Sequence, residues 1–498
     1  MVKIVGHAIL FFRLENGKCI FIYSFEAIYK ITQNNEVNEK TKLFNIDSLN
    51  NYEINKIQID GDYFETKENY YKFKKEGEHK VRINIDIKDS SSLEKFFENI
   101  NELKSINFTN DFNTSAVENM KEMFSSSKNL ISINILSLNT ENVKYMSNIF
   151  KDCINLKEID ISELKANNVE DMFGMFENCP ITSLDLTHFD TKEVKYMENM
   201  FKDCKYLNFL KLDFNTEKVI DMSNMFSSCT SLTSLDISMF KIDNCQNFSN
   251  MFENDKNLNI TIDSNKCRNL INEIPDDANI INKPSKPIIG EINCIYNIKK
   301  IENDIILVGK EFELNSEFDM YLDNKFINYS KKYKINSIGE HNIQFNLYED
   351  LKMDYMFKDV PDLISVEMKS ENMCQILSMK STFENAESLQ EFNITGFSGD
   401  KIQSMNKLFY RSNLNSFSFN SFETNNLEDI SYMFSNTEII DFSLNGLNTR
   451  NVKNMSHLFE NCQSLRSFTN DQFETTNAID MSSMFEKSSI ISLDLSNF

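Results

Sequence analysis

A pattern of apolar and polar positions repeats along most of this chain with a period of about 25 to 27 residues. Each unit contains a methionine, a phenylalanine four residues later and a run of the form Leu-x-x-Leu-x-Leu. One unit is too short to bury its own apolar residues, whereas stacked units share an interior, so the period predicts a solenoid. The repeated phenylalanines form two sets: Phe97, Phe124, Phe150, Phe176, Phe201, Phe226 and Phe252, then Phe357, Phe383, Phe409, Phe434, Phe459 and Phe485.

Each unit is predicted to contain a strand, a loop, a short helix and a turn. The alternating leucines are typical of a strand with one buried face. The Met and Phe, four residues apart, would share one face of a short helix. We therefore predict an α/β solenoid with a parallel β-sheet and short helices. Its strands are expected to start at Leu103, Leu130, Leu156, Ile181, Leu207, Leu232 and Leu258, then at Leu363, Leu389, Leu414, Ile439, Leu465 and Ile490.

A β-rich segment without the period precedes each array, and the two segments are similar. Residues 333–343 mirror residues 71–81, which indicates duplication of a unit of roughly 260 residues. Short runs of β-forming residues between turn residues predict small antiparallel modules, which we interpret as spacers or docking units. The final strand has no polar capping unit after it, so we expect the second array to be truncated. The predicted domains are an N-terminal β module (1–90), a first solenoid (91–262), a cap and linker (263–290), a second β module (291–350) and a second solenoid (351–498).

The repeat resembles that of a known family. The segment from Met222 to Ser238 reads Met-Ser-Asn-Met-Phe-Ser-Ser-Cys-Thr-Ser-Leu-Thr-Ser-Leu-Asp-Ile-Ser. It is similar to the repeat of BspA-like leucine-rich-repeat surface proteins, and the resemblance covers residues 91–262 and 351–498. It implies a right-handed leucine-rich-repeat solenoid and a surface or adhesive role. The chain departs from the family in showing no secretion signal or lipobox.

The composition narrows the classes of partner. The formal net charge is −23, which disfavours nucleic acid and anionic membrane surfaces as partners. No apolar run reaches the roughly 18 residues of a transmembrane helix, so we expect no membrane insertion. The cell compartment stays open: the resemblance implies the cell surface, and a complete N-terminus would imply the cytoplasm.

Two recurring residue types could suggest chemistry. Cysteines follow the repeated Phe at positions 153, 179, 204 and 229, but without the paired spacing of a zinc site, so we interpret them as buried core residues. His79 and His341 occupy matching positions of the two β modules, and we identify no Ser, Cys or carboxylate that recurs around both. We find no phosphate-binding loop, nucleophile elbow or HExxH motif. We therefore expect no enzyme activity, no cofactor and no metal.

The exposed positions of the parallel strands are the remaining candidate site. Polar residues alternate with the buried leucines and would form a concave face of the kind that solenoids use for partners. We predict a non-enzymatic binding or adhesion protein with a protein or glycan ligand and an unknown oligomeric state. The alternative is an intracellular scaffold or regulatory protein. The candidate residues are Glu158, Asp160, Ser183, Asp185, Lys211, Ser234, Asp236, Glu391, Asn393 and Asp441.

Overall fold

The chain forms two compact units, Met1–Lys283 and Pro284–Phe498. Each consists of a β module followed by an array of solenoid turns, here termed coils. Together the two arrays contain about 12 β-solenoid coils, and about 2% of the residues of the chain are helical. The computed structural model describes residues 2–493 apart from 6–7, 16–17, 22, 33–38, 47–51, 65–67, 88–90, 110–111, 113, 276, 302–303, 315, 420–421, 443–446 and 469–472.

In the first unit the module and the array share one β-sheet. Strand Tyr23–Ile31 pairs antiparallel with Gly77–Ile87 and also with Leu103–Phe108, the first strand of the array. Leu103–Phe108 then pairs in parallel with Ser132–Asn134. The other module strands are Val2–Val5, Ala8–Glu15, Lys18–Phe21, Lys40–Lys42, Tyr52–Ile59, Asp62–Phe64 and Tyr70–Lys72, and the array continues with Ser183–Asp185, Phe209–Lys211, Ser234–Asp236, Asn259–Ile262 and Asn279–Asn282.

The second unit repeats this arrangement. Strand Gly290–Ile298 pairs antiparallel with Gly339–Leu347 and with Leu363–Lys369, which in turn pairs in parallel with Glu391–Thr395. In both units the module therefore continues the sheet of its array and is not a separate spacer. The remaining strands are Ile305–Ile306, Phe318–Leu322, Lys325–Ile327, Lys332–Tyr333, Leu351–Lys352, Ile376–Ser378, Ser416–Ser418, Asp441–Phe442, Ser467–Phe468 and Ser492–Leu493.

The prediction of a short helix in every unit was wrong. The described helices are one α-helix, Ser264–Cys267, and one 3₁₀ helix, Arg268–Glu273, both between the last two strands of the first array. The Met–Phe segments are chains of tight turns with left-handed residues four positions apart, such as Asn148 (φ 55°) and Asp152 (φ 58°). An α-helix is about 10–12 Å wide, whereas neighbouring coils bring their Phe rings to 5.5–5.8 Å, so helices could not stack at this spacing.

The turn segments form a ladder of hydrogen bonds between coils, here termed the turn ladder. Every second N–H donates along the solenoid axis to a carbonyl of the following coil. The repeated Asn, Asp and Ser residues adopt the left-handed conformation that this alternation requires, and Asn and Asp tolerate it well. In one pair of coils the donors Met120, Glu122, Phe124 and Ser126 reach the carbonyls of Tyr145, Ser147, Ile149 and Lys151 at 2.8–2.9 Å.

The predicted shared interior is confirmed. Phe150, Phe176 and Phe201 are each 0% exposed. Their rings stack nearly parallel, with centroids 5.5 Å apart between Phe150 and Phe176 and 5.8 Å apart between Phe176 and Phe201. The stack runs from Phe97 to Phe252 in the first array and from Phe357 to Phe485 in the second. Each ring thus packs against the coils before and after its own.

All N–H groups of the turn ladder point toward the following coil. The first coil therefore leaves its carbonyls without acceptor bonds from the ladder, and the last coil leaves its N–H groups without ladder acceptors. At the carbonyl end of the first array, the buried Asn45 of the β module donates from its backbone to the carbonyl of Phe96 (2.8 Å) and from its side chain to that of Glu98 (3.0 Å). At the N–H end, the carboxylate of Glu273 accepts from Asn250 N–H at 3.1 Å. The module and the terminal 3₁₀ helix therefore act as complementary caps.

The repeated cysteines satisfy a carbonyl inside the core. Cys153, Cys179 and Cys204 donate from Sγ to the carbonyl of the repeated Phe in the preceding coil, at 2.8–3.1 Å. Ser127 makes the same bond from its hydroxyl, to Phe97, at 2.6 Å. Burial raises the pKa of the Cys153 thiol to about 12, so this thiol stays protonated and can donate. The prediction that these cysteines are core residues is confirmed.

Asp255 takes the place of these donors in the last coil of the first array. It is 2% exposed, and neither carboxylate oxygen has a hydrogen-bond partner. Burial raises its pKa from 3.8 to about 7. Because the folded state holds the proton more tightly, this group lowers stability progressively as pH rises from about 4 to about 7.

We predict that Asp255→Ser stabilises the first unit at pH 8, by roughly 1–3 kcal/mol, because a hydroxyl replaces a buried, unpartnered carboxylate. The gain should shrink towards pH 4, where the aspartate is protonated in both states. Urea unfolding at the two pH values measures this difference. Asp213→Ser, at an exposed position, is the control and should change stability by less than about 0.5 kcal/mol. An equal gain at both pH values would contradict the assignment.

We predict that Gly309→Ala destabilises the second unit by roughly 1–3 kcal/mol. Gly309 caps the carbonyl end of the second turn ladder, with its N–H 2.8 Å from the carbonyl of Met356. An added Cβ would lie 2.3 Å from the Tyr355 carbonyl oxygen, so backbone must move. Gly339→Ala is the control for conformational cost alone: its φ is +117°, but nothing lies within 4 Å of the added Cβ. Equal losses of unfolding free energy would rule out the clash.

Candidate functional site

The predicted binding residues lie on the exposed side of the array strands. In Ser183–Asp185, Phe209–Lys211 and Ser234–Asp236 the middle residue is buried and the two outer residues are exposed. Glu158 and Asp160 of the first array and Glu391 and Asn393 of the second are exposed as well. Asp441 lies in strand Asp441–Phe442, but its side chain is outside the described residues.

Three of the predicted residues meet in an open groove on the first array. Asp160, Ser183 and Asp185 line a groove of about 500 Å³ that crosses neighbouring coils. Phe209 lies at its side, directly paired with Ser183 across the parallel strands, and is 54% exposed. The other lining residues are Ile159, Ile161, Ser162, Leu184, Thr187 and His188. We term this feature the Phe209 groove.

The carboxylates of the Phe209 groove are held in fixed orientations by the strand ends. Asp160 Oδ1 accepts from the Ser162 N–H at 3.1 Å, and this bond, with the Ser162 hydroxyl, holds the pKa of Asp160 below its usual value. Asp185 Oδ1 accepts from the Thr187 hydroxyl at 2.7 Å and its N–H at 3.0 Å, which lower the pKa of Asp185 likewise. Both groups are therefore anionic across the physiological pH range.

Only part of this negative charge is compensated. Lys211 Nζ lies 3.8 Å from Asp185 Oδ2, at the outer limit of an ion pair between exposed groups. His188 directs its Nε2 to the Ile161 carbonyl at 2.9 Å, so this nitrogen is engaged with the backbone. Asp160 pairs with no described cation. The groove thus combines an exposed aromatic ring with a net negative charge.

The other predicted residues are not brought into the groove. Ser234 and Asp236 lie on the same face, where Asp236 Oδ2 pairs with Lys283 Nζ at 3.2 Å. Glu158 is exposed but does not line the groove. Glu391 and Asn393 belong to the second unit. The prediction omitted Phe209, Thr187 and His188, although Phe209 was marked in the sequence as the only aromatic residue in a column of Ser and Glu.

His79 and His341 do have a recurring carboxylate partner, so the prediction that no such partner recurs around both was wrong. His79 Nδ1 lies 2.6 Å from Asp60 Oδ2, and His341 Nδ1 lies 2.7 Å from Asp323 Oδ2. The two aspartates were visible in the sequence, where Leu322-Asp323-Asn324 corresponds to Ile59-Asp60-Gly61. In both modules the imidazole also reaches a backbone carbonyl through Nε2: Lys75 at 2.9 Å and Ser337 at 3.2 Å. Through its two ring nitrogens the histidine thereby connects two turns.

The second module places Ser337 Oγ 3.2 Å from His341 Nε2, which gives a Ser–His–Asp arrangement. Two features argue against a nucleophile there. The Ser337 carbonyl competes for the same nitrogen at the same distance. The first module has Lys75 at the equivalent position. The element that recurs in both modules is therefore the His–Asp contact and not the serine.

Among the described residues, no group of three or more His, Cys, Asp or Glu side chains is placed to hold a metal ion. The nine described cysteines are all free thiols. None of the helices in the described part of the chain is long and apolar enough to cross a membrane.

Comparison with known proteins identifies the repeats. A family model described as Mycoplasma protein of unknown function, DUF285, matches residues 91–209, 181–275, 322–438 and 377–498. These overlapping matches cover both arrays and well over half of the 498 residues. No curated protein and no solved structure matches the chain.

Proposed function

The chain belongs to the DUF285 family, and from that membership and the geometry above we propose that it is a non-enzymatic binding protein whose Phe209 groove holds a cationic segment of a partner protein. The observation that carries the proposal is the exposed Phe209 ring beside two carboxylates fixed in position by the backbone. Large aromatic side chains in concave surfaces are the residues on which protein binding energy concentrates.

The chemistry of the groove favours an arginine side chain. A guanidinium can stack on the Phe209 ring while its N–H groups donate to Asp160 and to Asp185, whose Oδ2 lies 3.8 Å from Lys211 Nζ. These carboxylates need no reorganisation on binding because Ser162 and Thr187 already orient them. The net charge of −23 also attracts a basic partner over a longer range, which speeds association at low salt.

A surface or adhesive role follows only from the resemblance to BspA-like leucine-rich-repeat proteins, and we extend it to this chain as part of the proposal. An intracellular scaffold is the second candidate. It is favoured by the free state of the nine described cysteines, because oxidising compartments favour disulfides. Both roles would use the same groove. The absence of enzyme activity is likewise proposed, and it is supported by the engagement of His79 and His341 with backbone carbonyls.

We predict that the native chain binds a fluorescein-labelled peptide of alternating arginine and leucine, measured by fluorescence anisotropy. Phe209→Ser and Asp160→Asn should each weaken binding about tenfold, since the first removes the stacking surface and the second an anionic acceptor. Neighbouring coils already have Ser183 and Ser234 at the position of Phe209 and Asn134 at that of Asp160, so both variants should fold.

Tyr206→Ser is the matched control. Tyr206 is 63% exposed and lies just before the same strand, but outside the groove, so its loss should leave the affinity within about twofold. Equal affinity for the native chain, Phe209→Ser and Asp160→Asn would contradict the proposal. Equal weakening by all variants, Tyr206→Ser included, would show that general charge and not the groove attracts the peptide.

A further inference from the structure

One position of the turn ladder differs systematically between the two arrays. It is left-handed in every described coil. In the first array it holds Lys95 and Glu122, and then Asn148, Gly174, Asn199, Asn224 and Asn250. In the second array the same position holds Tyr355, Ser381, Lys407, Tyr432, His457 and Ser483, with φ between 51° and 63°. Bulky side chains disfavour this conformation, whereas Gly and Asn adopt it readily. Tyr, Lys and His are therefore not the residues that this left-handed position favours.

These residues form a continuous patch of rings and cations. The rings of Tyr432 and His457 are stacked, with centroids 4.4 Å apart and planes 7° apart. The Lys407 ammonium lies 5.9 Å from the centre of the Tyr432 ring and 5.4 Å from that of Tyr410. The guanidinium of Arg411, also left-handed at φ 57°, lies 5.1 Å from the centre of the Tyr410 ring. All five side chains are exposed or partly exposed. We term them the Tyr432 patch.

The cations of the Tyr432 patch are incompletely paired. Lys407 Nζ lies 3.9 Å from Glu384, whose carboxylate also lies 3.8 Å from Lys358. His457 Nδ1 lies 3.0 Å from Glu460. The guanidinium of Arg411 forms an ion pair with none of the described carboxylates and lies over the Tyr410 ring. A guanidinium has five N–H donors in a planar fork, which match a carboxylate. The patch thus has unused donors for an anion beside aromatic faces.

We propose that the Tyr432 patch binds an acidic segment of a partner protein, in which a carboxylate meets Arg411 and Lys407 and a neighbouring apolar or aromatic side chain packs on the Tyr410 and Tyr432 rings. Tyr and Arg are the residue types enriched at the centres of protein interfaces. A short acidic segment fits this chain better than nucleic acid, because a net charge of −23 repels a continuous phosphate backbone more strongly than a few carboxylates.

The test combines binding with stability. The triple variant Lys407→Asn, Tyr432→Asn and His457→Asn introduces Asn, which four coils of the first array have at this position. It should bind a labelled copolymer of glutamate and tyrosine about tenfold more weakly than the native chain. Its thermal midpoint should be equal or higher, because Asn suits the left-handed backbone better. If these side chains served only to stabilise the fold, the triple variant would instead have a lower thermal midpoint than the native chain.

Two further variants separate the outcomes. Lys95→Asn makes the same change at the same ladder position of the first array and should leave copolymer binding unchanged. Arg411→Gln, at an exposed site, should also weaken binding and keeps the proposal testable if the triple variant fails to fold. Failure of the native chain to bind the copolymer, or equal affinity for Arg411→Gln, would overturn the proposal. Tighter binding of a single-stranded oligonucleotide than of the copolymer would overturn it too. Phe209→Ser should bind the copolymer normally, which distinguishes this surface from the Phe209 groove.

Discussion

The hydrogen bonds that run between coils along the solenoid axis are the constraint on which the rest of this structure depends. Strand ladders set the rise per coil to about 4.8 Å on one side. The turn ladder must match that rise on the other side, with the repeated Phe rings stacked 5.3–5.8 Å apart between them. A helix is too wide for this rise. The Met–Phe segments therefore direct their N–H groups to the next coil and not to the preceding turn of a helix.

The same constraint explains the polar residues that recur in the repeat. Asn, Asp and Ser at left-handed positions let successive peptide groups point the same way, and the repeated Cys satisfies the Phe carbonyl that the turns leave inside the core. The one-way polarity leaves carbonyls at one end and N–H groups at the other. Asn45 and Gly309, at equivalent places in the two β modules, donate to the carbonyl end of their own arrays. The modules are thus parts of the solenoids that they precede.

The sequence predicted the solenoid, the parallel strands and their exposed positions. An alternation of polar and apolar residues, as in Ser183–Asp185, indicates a strand with one buried and one exposed face. The sequence did not exclude a helix, because a Met and a Phe four residues apart share a face in a helix and also in this turn ladder. The pair Asn148 and Asp152, repeated at Asn199 and Asp203, was the available signal for left-handed turns. Of the candidate site, the exposure of Asp160 and Asp185 followed from alternation. The groove and the contribution of Phe209 depend on how neighbouring coils pack, and a single repeat does not contain that information.

Because the turn-segment backbone and the repeated Phe of each coil are held by hydrogen bonds and ring packing with the neighbouring coils, a packing defect in one coil should destabilise its neighbours too. Hydrogen–deuterium exchange of Phe176→Ala, compared with the native chain, tests this most directly, since the substitution costs roughly 3–5 kcal/mol in a packed core. We predict faster exchange of the amides of Phe150 and Phe201, whose N–H groups donate to the carbonyls of Met175 and Met225, with no change at Phe409 and Phe434 in the other unit. Faster exchange confined to residues 172–179, with the neighbouring coils still protected, would contradict it.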